Sequence, residues 1–504
     1  MISEFFRKNG YNVLADVILA AAVVFAVLNV FSVGLNDDTN LLFLGAVHLL
    51  RTHELYQHWV DISPPLIMLL YSVPAACVLW FNVAPSVALH GATVLLGIIS
   101  LSMLDCALKR HKQDSYTRTV WRAAGAFVLF IAPQCYQVFA DREHLFFIFA
   151  LPWIIQMLMR LPPFAYTAIF AAIGFCIKPY NMALFVALTL FCGPEDWIWR
   201  RRIFSVSSWI IGSIAAAYLA IIAIFFPEYI NTVVPVAVLT YYIIQETPYD
   251  KVINSISLIT PAILLGICYI RGIRNKLSWV WLVMGAYVVY MLNGGWFYTR
   301  YLLQVPLLLV CFAVLYSQGS KWYKFTGTAA VFYFLIFTVY YSVLSLGNDM
   351  RFTADTGFAG NHNHMPGDLH DALEKAAGQN FILLSTALWG SNLERIDGYP
   401  HALLAYDYLW PLPWLYTHGG DEKALLVRQA LLQSLQDALK QKPVLIVDES
   451  PYHRGLPQET NILAFFAQDK DIAGILSSFM RVDTIDKCSG TLQVACRFAI
   501  YRSL

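Results

Sequence analysis

Apolar runs of about twenty residues recur from residue 12 to about residue 346, and nothing else in the chain restricts the fold so strongly. As a helix, a run of that length crosses roughly 30 Å of hydrocarbon. In lipid the backbone must satisfy its own hydrogen bonds, which leaves helices and closed barrels. A barrel strand alternates apolar with polar residues, whereas these runs are continuously apolar. Composition agrees: of 504 residues, 58% are hydrophobic and 13% charged, against about a quarter charged in soluble proteins. The chain reads as a polytopic α-helical membrane protein. A net charge of +1 offers no basic surface for nucleic acid, and no such partner is expected.

Positive residues between apolar segments mark the cytoplasmic side. Arg7-Lys8 places the N-terminus inside, with the run Val13 to Gly34 as an uncleaved signal anchor. Asn36-Asp37-Asp38-Thr39-Asn40 then emerges outside. The next basic loop, Lys109 through Arg122, also belongs inside, so only one crossing fits between it and the external acidic pair. We therefore expect 39–54 and 64–82 to be helices lying along the outer surface, with 86–108 as the second crossing. The remaining charges alternate without conflict: Arg160, Arg200-Arg201-Arg202, Arg271 to Lys276 and Lys321 to Lys324 inside. About eleven crossings result, ending near Leu346. Asp141-Arg142-Glu143-His144, Lys178 and Arg300 all fall outside.

From residue 347 charge, Gly and Pro return. Phe381 to Ser385 and Pro443 to Asp448 read as short buried strands, and 421–440 has apolar residues at helical spacing. We read 1–346 as a transmembrane domain with an external loop over 35–85, and 347–504 as an external α/β domain. Of the nine Cys, most are single small residues within apolar runs. Cys488 and Cys496 flank a turn at Ser489-Gly490, where a disulfide fits an oxidising compartment. His362, His364 and His370 have no tight metal spacing and read as a solvated linker. Trp410-Pro-Leu-Pro413-Trp414 reads as structural packing.

Carboxylates at a membrane edge are costly unless they face water or act. Asp37 and Asp38 suit a general base that takes a proton from an attacking hydroxyl; the same stretch suits a helix cap. Asp141, Glu143 and His144 suit an acceptor or a divalent cation, although the spacing also suits a polar turn. Lys178, Arg300 and Arg142 lie on the outer side, against the usual charge bias, and suit an anionic head group such as a polyprenyl phosphate. Snorkelling towards ordinary lipid phosphate is the alternative for Lys178.

In order and spacing, Asp37-Asp38, Leu55 to Asp61 and Pro64-Pro65-Leu66 resemble the GT-C superfamily of integral-membrane glycosyltransferases. The branch they are most similar to contains protein O-mannosyltransferases and the lipid A aminoarabinose transferase. Gly174-Phe-Cys-Ile-Lys178-Pro179 resembles that family's Gly-x-x-x-Lys element, and Arg300-Tyr-Leu-Leu-Gln-Val-Pro306 its late helix start. Asp141-x-Glu143 falls where the family has a second acidic site. Asp38 stands where Glu is common, and Asn40-Leu41 replaces an Arg/aromatic pair.

The resemblance implies inverting transfer of a sugar from a polyprenyl-phosphate donor to a lipid, glycan or protein hydroxyl, with membrane lipids as surroundings. Asp37, then Asp38, would be the base; Arg300, Lys178 and Arg142 would neutralise the phosphate. Asp61, Pro64 and Pro65 would shape the external loop. A divalent cation, Mg or Mn, is left open. The expected setting is a bacterial inner membrane with the active side in the periplasm, consistent with the absence of Asn-x-Ser/Thr acceptors. A lipid-linked saccharide flippase, or an O-antigen ligase or polymerase, is the alternative; the first would show repeats and midplane charges, which the sequence lacks.

Overall fold

The computed structural model describes residues 23–24, 27–28, 31, 35, 37–56, 62–136, 138–194, 198–240, 276–293, 300–316, 381–385, 411–419, 422–449, 456, 460–485 and 497–503. Asp61, the three-histidine linker, Gly294-Gly295-Trp296 and the Cys488–Cys496 pair lie outside the described residues. So do most of the first apolar run, the crossing before Arg271 and the one ending near Leu346. The chain divides into two compact units. One contains Met1–Gly34, Leu89–Ala220 and Glu246–Ser345, the other Leu35–Ala88, Ile221–Gln245 and Leu346–Leu504.

The helices follow the apolar runs. α1 (Asp37–Thr52) and α2 (Pro65–Phe81) are followed by α3 (Pro85–Arg110) and α4 (Ser115–Ala126). After the 138–141 turn come α5 (Arg142–Leu158), α6 (Ala165–Ile177) and α7 (Asn181–Phe191). α8 (Trp199–Ile203), α9 (Val206–Phe225), α10 (Val234–Thr240), α11 (Lys276–Leu292) and α12 (Tyr301–Tyr316) complete the apolar part. Among the described residues, α3 and α9 are long and apolar enough to cross a membrane, and the others are shorter. Leu95 and Ile98 on α3, and Trp209 and Leu219 on α9, are more than half exposed. Apolar side chains left outside on an apolar helix suit contact with lipid.

One expected span is not a single helix. Residues 121–139 pass from α4 into a π-helical turn, Phe127–Ile131, and then a 3-10 turn, Ala132–Tyr136. The cause is Pro133, which lacks an N–H to donate backwards and so breaks the regular ladder.

In the first unit, α5 and α6 pack most closely because Gly174 has no side chain. A Cβ there would come within 2.9 Å of the Phe146 carbonyl oxygen and of Phe149 Cβ. α6 stops at Ile177 because Lys178 precedes Pro179 and turns extended. α11 lies against α7, with Gly285 over Leu184 and Ala187 and Trp281 stacked on Phe191 at 3.7 Å.

In the second unit, both stretches expected to be helical, 39–54 and 64–82, contain helices. α2 starts with Pro65 at its first turn, where a missing N–H costs nothing. It stops at Asn82, whose left-handed backbone (φ 53) closes the last turn onto Val78. The stretch before it is held by Tyr56, whose hydroxyl donates to the Ser63 carbonyl at 2.6 Å and whose ring packs on Tyr229 at 5.1 Å.

The C-terminal sheet also belongs to this unit, in the order β1-β2-β4-β3. β1 (Phe381–Leu384) and β2 (Val444–Asp448) are parallel, and β4 (Phe498–Ser503) is antiparallel to both β2 and β3 (Phe479–Ile485). β2 is buried along its whole length, as a central strand is. The two expected strands and the helix α14 (Glu422–Leu439; a short α13, Leu412–His418, precedes it) are present. α14 buries Val427, Leu431, Leu435 and Ala438 against Leu445 and Val447. Ile62 and Val236 join the same core, and Trp414 is packed within it.

Leu435 is fully buried. Leu435→Ala should cost about 2–5 kcal/mol, read in the full-length protein as faster hydrogen exchange of the β2 amides.

Candidate active site

The first unit gathers its buried charge around the start of α5. Asp141 is 1% exposed and caps the helix, accepting from the Arg142 N–H at 2.6 Å; the Arg142 Nε lies 3.5 Å from the same oxygen. Glu143, one residue into the helix and 2% exposed, has its hydrogen bonds elsewhere. The Lys178 ammonium donates to Glu143 Oε1 at 2.6 Å and to Asn293 Oδ1 at 2.7 Å. Asn293 Nδ2 donates to the same Glu143 Oε1 at 2.6 Å. Three residues far apart in the chain thus close one network.

Local structure explains how they meet. The Gly174 contact brings the end of α6 against the start of α5, and Pro179 frees Lys178 to turn towards Glu143. α11, packed along α7, ends at Asn293, whose N–H closes the last turn on Val289. The lysine of the Gly-x-x-x-Lys element thus meets the second acidic site directly, a pairing that the sequence reading does not contain. Asn293 was missed, since a lone Asn after an apolar run also reads as an ordinary helix stop.

His144 occupies a different environment. Its Nε2–H donates to the Leu129 carbonyl at 2.7 Å, which makes Nδ1 the acceptor for the Ala140 N–H at 3.0 Å. Both ring nitrogens are engaged by backbone. Two further side chains serve the same π-helical turn: Tyr301 Oη donates to Val128 O at 2.8 Å, and Gln134 Nε2 donates to Phe130 O at 2.8 Å. Pro133 removed a donor for this turn, and side chains supply the replacement. Tyr301 begins α12, directly after Arg300, which is 8% exposed. The His144 ring meets the Tyr301 ring edge-on at 6.0 Å.

In the second unit, Asp37 and Asp38 begin α1, with Asp38 half-buried and Thr39 and Asn40 buried. Acidic residues in a first turn suit the positive end of the helix dipole. Pro64 is the extended residue before α2, and Pro65 its first. No group of three or more His, Cys, Asp or Glu side chains that could hold a metal ion occurs among the described residues.

No family model matches the sequence, and no curated protein matches it. Among solved structures the chain is similar to ArnT from Cupriavidus metallidurans bound to undecaprenyl phosphate. The TM-score is 0.53 at 11% identity, over 97% of this chain and 98% of that one. The fold is shared from end to end.

Removing the His144 ring would strand the Ala140 N–H and the Leu129 carbonyl, each at about 1–3 kcal/mol. His144→Ala should therefore lower the unfolding temperature in detergent and leave divalent-cation binding unchanged. Lost cation binding at unchanged stability would instead make His144 a ligand.

Proposed function

We propose that the protein is a glycosyltransferase that moves a sugar from a polyprenyl-phosphate carrier to a hydroxyl acceptor. The observation that carries this reading is the end-to-end fold likeness to ArnT, whose structure is bound to undecaprenyl phosphate. The order of the motifs that resemble the GT-C type in this sequence supports the same reading. We read the protein as a multi-pass protein of a bacterial inner membrane. Its acidic sites and the α/β domain of 347–504 would face the periplasm, and the catalytic helices would lie within 1–346.

In this reading the acceptor oxygen attacks the anomeric carbon opposite the phosphate, and the configuration inverts. Asp37, or its neighbour Asp38, takes the hydroxyl proton as the new C–O bond forms. The old C–O bond breaks with its electron pair going to the polyprenyl phosphate, which leaves without needing an acid. Positive side chains lower the barrier most if they meet the charge that grows on that phosphate. Arg300 and Arg142 fill this role in our proposal. Lys178, which the motif assigns to the phosphate, is held by Glu143 at 2.6 Å, a closer pair than Arg142 with Asp141 at 3.5 Å, so we place it with the acceptor-side acids. A saccharide flippase is the competing class. Such proteins carry internal repeats, which this sequence lacks.

The test uses purified full-length protein, labelled polyprenyl-phosphate sugars and extracted membranes. Wild type should transfer label to a membrane acceptor, and Asp37→Asn or Asp38→Asn should lower the rate about 10²–10⁴-fold without loss of folding. Equal transfer by both variants would reduce the acidic pair to a helix cap. Arg300→Ala should lower kcat more than it raises KM for the donor, because its contact strengthens as charge develops; a pure KM effect would assign Arg300 to ground-state binding.

A further inference from the structure

Glu143 has one carboxylate oxygen too many for the protein around it. Oε1 receives hydrogen bonds from Lys178 and Asn293, while Oε2 is buried without a hydrogen-bond partner among the described residues. A carboxylate can accept about four hydrogen bonds. Leaving an oxygen unpaired in a buried place costs more than the net gain of an ordinary bond, so such an atom calls for a ligand donor. Lys178 has three N–H donors and uses two of them, on Glu143 and Asn293. An acceptor valence and a donor valence are thus spare on two groups already in contact.

We infer that Glu143, Lys178 and Asn293 form a hydroxyl-reading site, with Glu143 Oε2 accepting a hydrogen bond from a hydroxyl of the sugar donor or of the acceptor. The inference rests on the glycosyl-transfer reading and says which substrate chemistry these residues recognise. A cation is the poorer occupant, because the Lys178 ammonium has already balanced the Glu143 charge. A neutral hydroxyl is the better one, being donor to Oε2 and acceptor for the remaining Lys178 N–H at once. Asn293 is a positioning residue. By holding Oε1 together with Lys178 it fixes the carboxylate plane and hence the direction of Oε2. Such a site rejects analogues that lack the hydroxyl, because the buried oxygen then stays unpaired.

The experiment measures kcat/KM of the full-length enzyme with intact substrates and with single-position deoxy analogues, first of the donor sugar and then of the acceptor. Wild type should lose about 10–100-fold with one analogue, as expected for a hydroxyl bonded to a carboxylate; whether that analogue is a donor or an acceptor names the source. Glu143→Gln should lose a similar factor with the intact substrate and almost nothing further with that analogue. Asn293→Ser keeps the ion pair and should narrow the same discrimination, which provides the comparison if Glu143→Gln does not fold. Equal discrimination by wild type and both variants across all analogues would make the network structural and overturn the inference while leaving glycosyl transfer intact. Absence of transfer by wild type from any polyprenyl-phosphate sugar would overturn the broader reading, and this one with it.

Discussion

A carboxylate and an ammonium, both nearly shut off from solvent, sit at the junction of α5 and α6, and the first unit is built to tolerate them. Burying either charge alone would cost several kcal/mol after relaxation. Burying them as a pair is tolerable only with short contacts and further hydrogen bonds. The contacts are 2.6 Å for Glu143–Lys178, and Asn293 bonds to both partners. Each requirement traces to a neighbouring residue with little chemistry of its own. Gly174 permits the approach of the helices, Pro179 ends α6 at the right residue, and Gly285 lets α11 settle on α7 so that it ends at Asn293. Replacing any of these would act on the ion pair through the backbone.

The other buried polar side chains of this region answer a different demand. Lipid supplies no hydrogen bonds, so backbone irregularity survives only where protein groups satisfy it. Pro133 opens the ladder of the third apolar segment, and Tyr301, His144 and Gln134 bond to three successive carbonyls, Val128, Leu129 and Phe130. One consequence reaches the proposed chemistry. His144 follows Glu143 directly, and Tyr301 follows Arg300, so the bonds that repair the π-helical turn also fix the backbone that presents both charged residues. π-helical turns recur at functional sites, and here the repair of the turn and the placement of charge use adjacent residues.

Much of this was legible in the sequence where the signal is long or strongly periodic. The apolar run 86–108 gave α3 to within a few residues, and the apolar spacing of 421–440 gave α14. The Pro64-Pro65 start of α2 needed only the chemistry of a first helical turn. Charge along the chain also grouped Glu143 and Lys178 on one side, though their contact rests on a close helix approach that only Gly174 hinted at. Less was readable where tertiary context decides. The break after α4 hangs on one proline in an otherwise apolar run. β3 and β4 carry Arg481, Asp483 and Arg502 among their apolar residues, which weakens the strand pattern. In sequence His144 belongs to a run of four polar residues and Asn293 reads as an ordinary helix stop, so their roles look reversed. Asn293 completes the charge network and His144 repairs the backbone, and only the contacts show it.

Under the glycosyl-transfer reading, the proposed site residues of the first unit, the acidic pair Asp37-Asp38 of the second unit left aside, are Asp141 and Glu143 against Arg142, Lys178 and Arg300, a net +1. A sugar linked through a phosphodiester to a polyprenol carries one negative charge, and the departing polyprenyl phosphate carries nearly two as the bond breaks. A group of side chains poised near +1 matches the donor and is drawn more strongly to the product-like transition state. That is the differential binding catalysis requires. Had Lys178 been unpaired, the site would already hold +2 and would bind the leaving phosphate tightly in the ground state of the product complex, slowing release. Pairing Lys178 with Glu143 therefore does two things under this reading. It leaves a carboxylate oxygen for a substrate hydroxyl, and it keeps the phosphate side at a charge that favours departure over retention.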